Sequence, residues 1–373
     1  MTTKYGELIV LGYNGQSRND NDRNVLPHNS RFELLKRPRP NGVIKFRDHA
    51  VDDREKTELL KSSFHSVTYT LCRNKSVVVE YRLDENSDML QIGRSSEPQI
   101  DFTVVDTYLG VDCFSPDIFN KPSQSTISRF ACRILVQRDE PHEARVFAAG
   151  FDSSKNIFLG EKATKWHKKN VNNDGATTTA TMYAWREVSV DGDVYTLRKT
   201  RSSPTRGEKV DNESNILRDG TLIDLCGATL LFRSANGLAC SPTREDLDQT
   251  LDRLNAGRPV CPVNLNTLII PRRKSDSLFD SERQPYCYSN CGHVQGRHAW
   301  GHKDKSSNKD SIEKHRCPMC NTESGRIIQL TMGMEPTFHL DSSALNYAFN
   351  PCGHIASEKT VNNKNLCILK MQH

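Results

Sequence analysis

The sequence predicts a mainly β protein in which a β-sandwich is followed by a small zinc-binding module. Short apolar or alternating segments, separated by turn residues, run from about residue 66 to residue 233 without an intervening helical pattern, which is typical of a sandwich. Cysteine and histidine pairs then crowd the last quarter of the 373-residue chain. Two ligands two or three residues apart can reach one Zn²⁺ ion from a tight turn, so this clustering indicates a metal-bound module.

The strands of the sandwich are predicted from short runs rich in β-branched and aromatic residues. These runs are Leu8–Tyr13, Val67–Leu71, Ser76–Tyr81, Leu90–Ile92, Arg133–Val136, Arg145–Ala148, Val194–Leu197 and Thr229–Phe232. Residues 163–181 and 199–215 are polar and rich in turn residues, so they are predicted to be exposed loops.

A helix is predicted between the sandwich and the cysteine-rich module. Thr243 offers an N-cap with Asp246 three residues later, and Gly257 ends the helix. One apolar stripe runs along it, formed by Leu247, Leu251 and Leu254. We therefore divide the chain into a sandwich domain at residues 1–240, a linker helix at 241–260 and a zinc module at 261–373.

The candidate metal ligands occur in three short motifs. These are Cys291-Gly-His293, Cys317-Pro-Met-Cys320 and Cys352-Gly-His354. One Cys-x-x-Cys pair alone would be a weak signal, but two identical Cys-Gly-His triplets flanking it are hard to obtain by chance. Six ligands complete one tetrahedral site and half of another.

Two loops of the sandwich carry side chains suited to a phosphate group. Gly93-Arg94-Ser95 follows one predicted strand, and Ser128-Arg129 precedes another. A bidentate guanidinium with hydroxyl or backbone donors is what phosphate recognition requires. On chemistry alone these residues are either exposed charges or a phosphate site.

Composition restricts the remaining classes of function. A net charge of +5, with no basic run interleaved with aromatic residues, gives little support to nucleic-acid binding. No apolar run approaches the length of a membrane span, and the N-terminus lacks an apolar signal core, so we expect no membrane insertion and no secretion. The 12 cysteines are then expected to be thiols and metal ligands in a reducing compartment.

Several longer stretches together carry a family resemblance. They are Tyr5–Gly15, Ser125–Ile134, Phe147–Lys162, Asp219–Thr229, Cys261-Pro-Val and Cys291-Gly-His-Val. With these stretches the chain resembles, nearly end to end, the Pellino family of scaffolds and RING-type ubiquitin ligases of Toll and Toll-like receptor signalling. The resemblance implies that the sandwich is an FHA-type, phosphothreonine-reading domain with an inserted appendage, and that the zinc module is RING-like.

The resemblance also implies roles for particular residues of the sandwich. The phosphate-holding residues would be Arg94, Ser128 and Arg129. Thr178 would line the threonine side of the pocket, beside Thr179, which stands where the family has Asn; Ala180 stands where the family has Gly. An Asn amide offers both a donor and an acceptor and a Thr hydroxyl has a shorter reach, so we expect weaker peptide affinity. The segment after this motif is shorter than that of the family, so a smaller appendage is expected.

For the zinc module the resemblance implies a cross-braced arrangement of two ions. One ion would be shared by Cys291, His293, Cys352 and His354. Cys317 and Cys320 would share the second with a C-terminal Cys-Pro-x-Cys motif, which the sequence to His373 does not contain. The candidates to replace that motif, Cys287, His315, Cys367 and His373, lack paired spacing. We therefore expect one full zinc site and a weak or empty second one.

Two functions from different classes follow from the resemblance. In the first, the protein is a cytoplasmic ubiquitin ligase that binds phosphorylated IRAK/Pelle-type kinases and works with a ubiquitin-conjugating enzyme. In the second, it is a decoy that binds the same phosphoproteins without transferring ubiquitin. A zinc-dependent nucleic-acid binder is a third alternative, but no clustered basic face favours it.

Overall fold

The structure is a computed structural model whose described residues fall into two compact units, residues 1–236 and 237–373. The described residues are 2–13, 31–62, 64–72, 75–105, 125–149, 165–167, 170–171, 177–178, 181–183, 185–200, 203, 205, 207–272, 283–296, 315–350, 352–364 and 368–371. Strands dominate the described part of both units and helices are few, so the prediction of a mainly β fold is confirmed.

The strands of the first unit overlap every run predicted from the sequence. In chain order they are β1 Lys4–Tyr13, β2 Arg31–Leu35, β3 Gly42–Val51, β4 His65–Cys72, β5 Lys75–Asp84, β6 Ser87–Gly93, β7 Phe102–Thr103, β8 Cys132–Gln137, β9 Ala144–Ala148, β10 Lys165–His167, β11 Asn170–Val171, β12 Thr177–Thr178, β13 Thr181–Tyr183, β14 Glu187–Val188, β15 Val194–Tyr195, β16 Leu222–Asp224 and β17 Ala228–Ser234. One helix, α1 at Asp53–Ser62, lies between β3 and β4.

Two four-stranded sheets form the sandwich. Their strand orders are β16-β17-β1-β2 and β7-β6-β8-β9. Leu8 and Leu230 from the first sheet and Ile92, Ile134 and Val146 from the second are fully buried in one apolar core. Because burying such a side chain stabilises a fold by roughly 1.5–3 kcal/mol, this shared core holds the two sheets together.

A third sheet of the first unit, β3-β5-β4, adds to the same core. Val43, Val79 and Tyr81 of this sheet are buried in the core. Arg133 of β8, which is 1% exposed, donates from Nη2 to Tyr81 Oη at 2.5 Å and to the Val190 carbonyl oxygen at 3.0 Å. The bond to Tyr81 links the third sheet to β8, and the bond to Val190 links β8 to the segment between β14 and β15.

The segment at residues 163–181 differs from the prediction of exposed loops. Its described residues form two short antiparallel pairs, in which β10 pairs with β13 and β11 pairs with β12. Three of the ten residues in these strands are Thr, and Lys165, His167 and Asn170 are polar as well. Backbone hydrogen bonds pair these strands. Their side chains do not alternate between apolar and polar, which is the sequence pattern that indicates a strand.

His65, at the start of β4, makes the stability of the first unit sensitive to pH. Burial, reinforced by the charge of Arg133, lowers the pKa of His65 to about 4. The imidazole takes up a proton near pH 6.5 in the unfolded chain but not in the folded one. The first unit therefore has its full stability above pH 6.5 and loses stability as the pH falls towards 4. We expect the free energy of unfolding to fall by about 1–2 kcal/mol between pH 7 and pH 5.

Hydrogen exchange of the β5 and β8 amides at the two pH values measures this loss in the full chain. His65→Gln should remove most of the pH dependence, whereas His142→Gln, at a half-buried position of the same unit, should keep it. An unchanged dependence in His65→Gln would show that another group is responsible.

The second unit contains short strands and three helices among its described residues, the first of which begins just before the boundary. The elements are α2 Ala235–Ala239, α3 Arg244–Ala256, β18 Tyr286–Tyr288, β19 Val294–Gln295, β20 His315–Arg316, β21 Glu323–Ser324, β22 Ile327–Gln329, a 3-10 turn at Pro336–Phe338, β23 Tyr347–Phe349, β24 Ile355–Ala356, α4 Glu358–Lys364 and β25 Ile368–Lys370. No helix in the described part of the chain is long and apolar enough to span a membrane.

The helix predicted between Thr243 and Gly257 is present as α3. The Asp246 backbone N–H donates to Thr243 Oγ1 at 3.1 Å, and the Thr243 N–H donates to the Asp246 carboxylate at 2.8 Å, so both halves of a capping box are present. Leu247 and Leu251 are buried in the core of the second unit, and Leu254 packs against it. The helix therefore belongs to the packed core of the second unit.

Candidate phosphate-binding loops and candidate metal centre

The two loops with phosphate chemistry lie edge to edge in the structure. The Arg94 N–H donates to the Ser128 carbonyl at 3.1 Å, and the Ser95 N–H donates to the Arg129 carbonyl at 3.3 Å. Gly93 makes this approach possible, because a Cβ atom there would overlap the Arg129 carbonyl oxygen. β6 and β8 are neighbours in one sheet, which brings the end of one and the start of the other together.

The side chains at this edge are wholly or partly accessible to solvent. Arg94 and Arg129 are exposed and Ser128 is half-buried. Arg94 Nε donates to the Ile127 carbonyl at 2.8 Å, which orients the guanidinium along the second loop. A guanidinium held in this way can present its terminal N–H groups as a fork to a phosphate.

Glu97 is a feature of this edge that the sequence reasoning missed. Its carboxylate forms an ion pair with the Arg129 guanidinium, and its backbone N–H donates to Ser95 Oγ at 3.3 Å. A carboxylate offers the same two-oxygen acceptor to a guanidinium that a phosphate offers. Glu97 therefore occupies a donor that the resemblance assigns to the phosphate. A single glutamate in a polar loop gives no sequence signal for such a contact.

The two threonines assigned to the pocket are less fully described. Thr178 lies in β12 with its backbone opposite Asn170, and its side chain lies outside what the structure describes. Thr179 lies outside the described residues altogether. Their roles stay predictions.

The first Cys-Gly-His motif sits in the turn of a hairpin. Its Cys291 and His293 lie in the turn between β18 and β19, where Gly292 adopts a φ of 74°. The Gly292 N–H donates to the Tyr288 carbonyl at 2.9 Å, and the Tyr288 N–H donates to the His293 carbonyl at 3.1 Å. The left-handed conformation favours glycine, so the turn accounts for the residue between the two ligands.

The Cys-Pro-Met-Cys motif forms a second turn, between β20 and β21. The Asn321 N–H donates to the Cys317 carbonyl at 2.8 Å, and the Cys317 N–H donates to the Thr322 carbonyl at 3.0 Å. These bonds curl the chain so that Cys317 and Cys320 can face a common point.

The two turns together assemble a cluster of four potential ligands. The ligand atoms of Cys291, His293, Cys317 and Cys320 all lie within 4.8 Å of one another, and His293 Nδ1 lies 3.7 Å from Cys317 Sγ. Bond lengths of about 2.0–2.3 Å place the ligand atoms of tetrahedral zinc about 3.5–3.8 Å apart. The cluster is therefore compatible with zinc, and its four protein ligands match a closed structural site.

The electrostatics of the cluster also suit a cation. Hydrogen bonding with the Thr322 hydroxyl lowers the pKa of Cys320 to about 6, whereas burial raises the pKa of Cys291 to about 12. Thiolate is the form that binds metal. A bound cation would supply the charge needed to ionise the more buried thiol.

The pairing of ligands expected from the cross-brace is not the pairing that the described residues adopt. Cys291 and His293 meet Cys317 and Cys320, while Cys352 and His354 are not part of this cluster. The reason is local: the Asn290 N–H donates to Ser324 Oγ at 3.1 Å, and Asn290 Nδ2 donates to the Glu323 carbonyl at 2.8 Å. These bonds hold the first hairpin turn against β21.

The residues considered as replacement ligands do not join this cluster either. Cys287 Sγ donates to the Gly292 carbonyl oxygen at 3.4 Å and is not among the clustered ligands. His315 is buried in β20 and is not among the clustered ligands. Cys367 and His373 lie outside the described residues.

Comparison with known proteins gives two consecutive family matches. Residues 1–250 match the family model described as Pellino, FHA domain, and residues 254–369 match the one described as Pellino, RING domain. The chain is 51% identical to "Protein pellino" of Drosophila melanogaster, over 96% of this chain and 84% of that protein. It is 48% identical to "E3 ubiquitin-protein ligase pellino homolog 2" of Homo sapiens, over 96% of this chain and 86% of that protein. It is 44% identical to "E3 ubiquitin-protein ligase pellino homolog 3" of Mus musculus, over 96% and 81% respectively.

Proposed function

The chain belongs to the Pellino family, and we propose that it is a RING-type ubiquitin-protein ligase that selects its targets through a phosphothreonine-reading FHA domain. The observation that carries the proposal is that the FHA and RING family models follow one another along a single chain. A reader of phosphorylated protein is thus joined to a module that promotes ubiquitin transfer.

The metal centre supports the ligase half of the proposal. A RING domain has no nucleophile of its own and accelerates transfer by holding a ubiquitin-charged conjugating enzyme in a reactive pose. Such positioning requires a rigid surface, and Cys291, His293, Cys317 and Cys320 would hold the zinc ion that supplies it. The chain's own contribution is to fix the two turns around the ion.

The paired loops of the sandwich support the binding half. Arg94 and Arg129 are the proposed phosphate ligands, and Ser128 adds a hydroxyl from the second loop. We propose phosphorylated kinases of the IRAK/Pelle type in the cytoplasm as the targets, in keeping with the family resemblance. The signalling route would then be that of Toll-type receptors.

A reconstituted reaction tests the ligase half. The purified full chain would be incubated with activating enzyme, conjugating enzyme, ATP and ubiquitin, and zinc would be measured on the same sample. Polyubiquitin chains that depend on the protein and on zinc would support the proposal. A zinc-loaded protein that binds phosphothreonine peptides and forms no chains with a panel of conjugating enzymes would favour the decoy instead.

Glu97 gives a test of the binding half. Glu97→Gln is expected to raise affinity for a degenerate phosphothreonine peptide library by up to about fivefold, because the Arg129 guanidinium no longer has to leave a carboxylate. The size follows from the 0.2–1 kcal/mol typical of exposed ion pairs, and the gain should shrink at high salt. Fluorescence polarisation at two salt concentrations measures it.

The matched control is Glu143→Gln, which removes a comparable exposed ion pair with Arg145 elsewhere in the same unit. It should leave the affinity unchanged. If Glu97→Gln weakens binding, the carboxylate supports the pocket instead of competing for it.

A further inference from the structure

Arg133 of β8 is a charged side chain in the interior of the first unit. It is only 1% exposed. Successive side chains of a strand point to opposite faces of its sheet. The next residue, Ile134, lies in the apolar core shared by the two four-stranded sheets, so Arg133 lies on the other face of β8, towards the third sheet. A guanidinium cannot be deprotonated in a protein, so its surroundings have to stabilise a full positive charge.

Two aromatic rings and two oxygen atoms surround part of this guanidinium. Arg133 Nη2 donates to both oxygen atoms, those of the Tyr81 hydroxyl and the Val190 carbonyl. The Arg133 Cζ atom lies 4.2 Å from the centre of the Tyr81 ring and 5.3 Å from that of the Phe147 ring. The faces of aromatic rings attract cations, so these contacts offset some of the cost of burial. The hydrogen bonds use Nη2 alone.

The other two nitrogen atoms of Arg133 are enclosed without a partner. Neither Nε nor Nη1 has a hydrogen-bond acceptor within the part of the chain that the structure describes. A buried donor that loses its bonds to water and gains no replacement destabilises the fold, and the effect is larger for a charged group. Buried polar groups in folded proteins therefore almost always have a partner, which can be a water molecule or an ion.

No carboxylate pairs with Arg133 among the described residues. The Asp191 carboxylate, in the segment after β14, forms an ion pair with Lys45 Nζ at 3.1 Å, and its side chain is 46% exposed. Arg233 shows the usual arrangement, because this equally buried arginine has the Asp219 carboxylate 2.9 Å from its Nε. Arg133 is thus a buried cation whose charge the described side chains do not balance.

His65 adds a second unpaired polar group beside the same aromatic ring. It lies opposite Tyr81 in the pairing of β4 with β5, and the centres of the two rings are 5.4 Å apart. Its Nε2 atom is enclosed and also has no hydrogen-bond partner in the described ranges. A neutral imidazole can carry its proton on either nitrogen, so Nε2 can be a donor. The Tyr81 ring therefore has an unpaired guanidinium over its face and an unpaired imidazole nitrogen at its side.

We propose that a small inorganic anion of the chloride type binds between β8 and the third sheet, where it accepts hydrogen bonds from Arg133 and His65. Water would satisfy the donors but would leave the charge of the guanidinium unbalanced, and an unbalanced buried charge is costly. The enclosure of Arg133 restricts the ligand to an ion small enough to be held as the third sheet packs on β8. The site is structural and does not depend on phosphopeptide binding or on ubiquitin transfer.

Hydrogen exchange of the full chain in chloride and in gluconate tests this site. The two sodium salts are compared at one ionic strength, and gluconate is too large for an enclosed position. An anion that binds only the packed sheets stabilises them in proportion to its concentration above the dissociation constant. A tenfold rise in chloride should then slow exchange of the β5 and β8 amides by up to about tenfold. Equal exchange in the two salts would show that water satisfies the donors and would overturn the proposal.

Four variants locate the effect of chloride. Arg133→Met keeps the length of the side chain without its charge, so its exchange should be equal in the two salts. His65→Phe keeps a ring at that position and should reduce the effect of chloride. Arg145→Met, on the neighbouring strand β9, should retain the full effect. Arg94→Ala should also retain it. An effect that survives Arg133→Met, or that disappears in Arg94→Ala, would place the anion elsewhere and overturn the proposal.

Bromide decides the matter if Arg133→Met does not fold. Crystals of the unsubstituted full chain grown in sodium bromide should show an anomalous scattering peak within hydrogen-bond distance of Arg133 and His65. Peaks confined to exposed arginines would indicate an adventitious ion only and would contradict the proposal. Because the site lies away from the phosphate loops and the zinc ligands, either result leaves the proposed ligase function untouched.

Discussion

Arg94→Ala is expected to weaken the binding of phosphothreonine peptides by about 30-fold or more, with little change in the thermal stability of the protein. A bound phosphopeptide would cover Arg94, and removing one partner of a buried, hydrogen-bonded charge pair costs about 2–5 kcal/mol, of which the lower bound corresponds to the 30-fold loss. Arg94 is exposed, so its truncation leaves no buried cavity. The hydrogen bond from Arg94 Nε to the Ile127 carbonyl is lost as well, which removes one of the bonds between the two loops.

Arg94→Lys separates charge from geometry. Lysine keeps the positive charge but has neither the planar fork nor the Nε donor, so an intermediate affinity is expected. Arg145→Ala, which removes a half-buried arginine from β9 in the same unit, should bind like the unsubstituted chain. Calorimetric titration with phosphorylated and unphosphorylated forms of one library would measure all three. Equal affinity for Arg94→Ala and the unsubstituted chain would move the phosphate site elsewhere.

Removal of zinc is expected to unfold residues 237–373 and to abolish ubiquitin transfer. Structural zinc contributes an apparent 10–16 kcal/mol in small zinc modules, as much as or more than the 5–15 kcal/mol that stabilises a typical domain. The strands around the four ligands are only two or three residues long, so their pairing has little stability of its own.

Titration with 1,10-phenanthroline, followed by hydrogen exchange of the Cys287 and Ile328 amides, would measure this unfolding. Protection should be lost together with bound zinc. The zinc-saturated chelator is the control for effects of the chelator itself. Peptide binding by the sandwich should survive removal of zinc. Persistent protection of the Cys287 amide in metal-free protein would contradict a structural role for the ion.

Features set by neighbouring residues were predictable from the sequence. The capping box of α3 needs only Thr243 and Asp246, and both bonds are present. The meeting of the Arg94 and Ser128 loops was predictable too, because each flanks a strand and the two strands pair. The strand β3 was not predicted. It exposes Ile44 and Phe46 among charged residues, so it lacks the alternation that indicates a half-buried strand.

The ligand pairing could not be read from spacing. Motif order does not show whether neighbouring or alternate motifs share an ion, and only contacts between distant residues distinguish the two arrangements. Here the deciding contacts are those of Asn290 with Glu323 and Ser324, which no local pattern indicates. The contact of Glu97 with Arg129 was unpredictable because a single glutamate in a polar loop does not indicate its partner.

The main-chain bonds between the two phosphate loops have a kinetic consequence. The backbones of Arg94 and Ser95 are hydrogen-bonded to those of Ser128 and Arg129 before any peptide arrives. Binding therefore costs little conformational entropy for ordering the loops. Association should then be governed by diffusion and by charge attraction between the phosphate and the two arginines. Peptides that differ outside the phosphothreonine should share one association rate and differ in how long they stay bound.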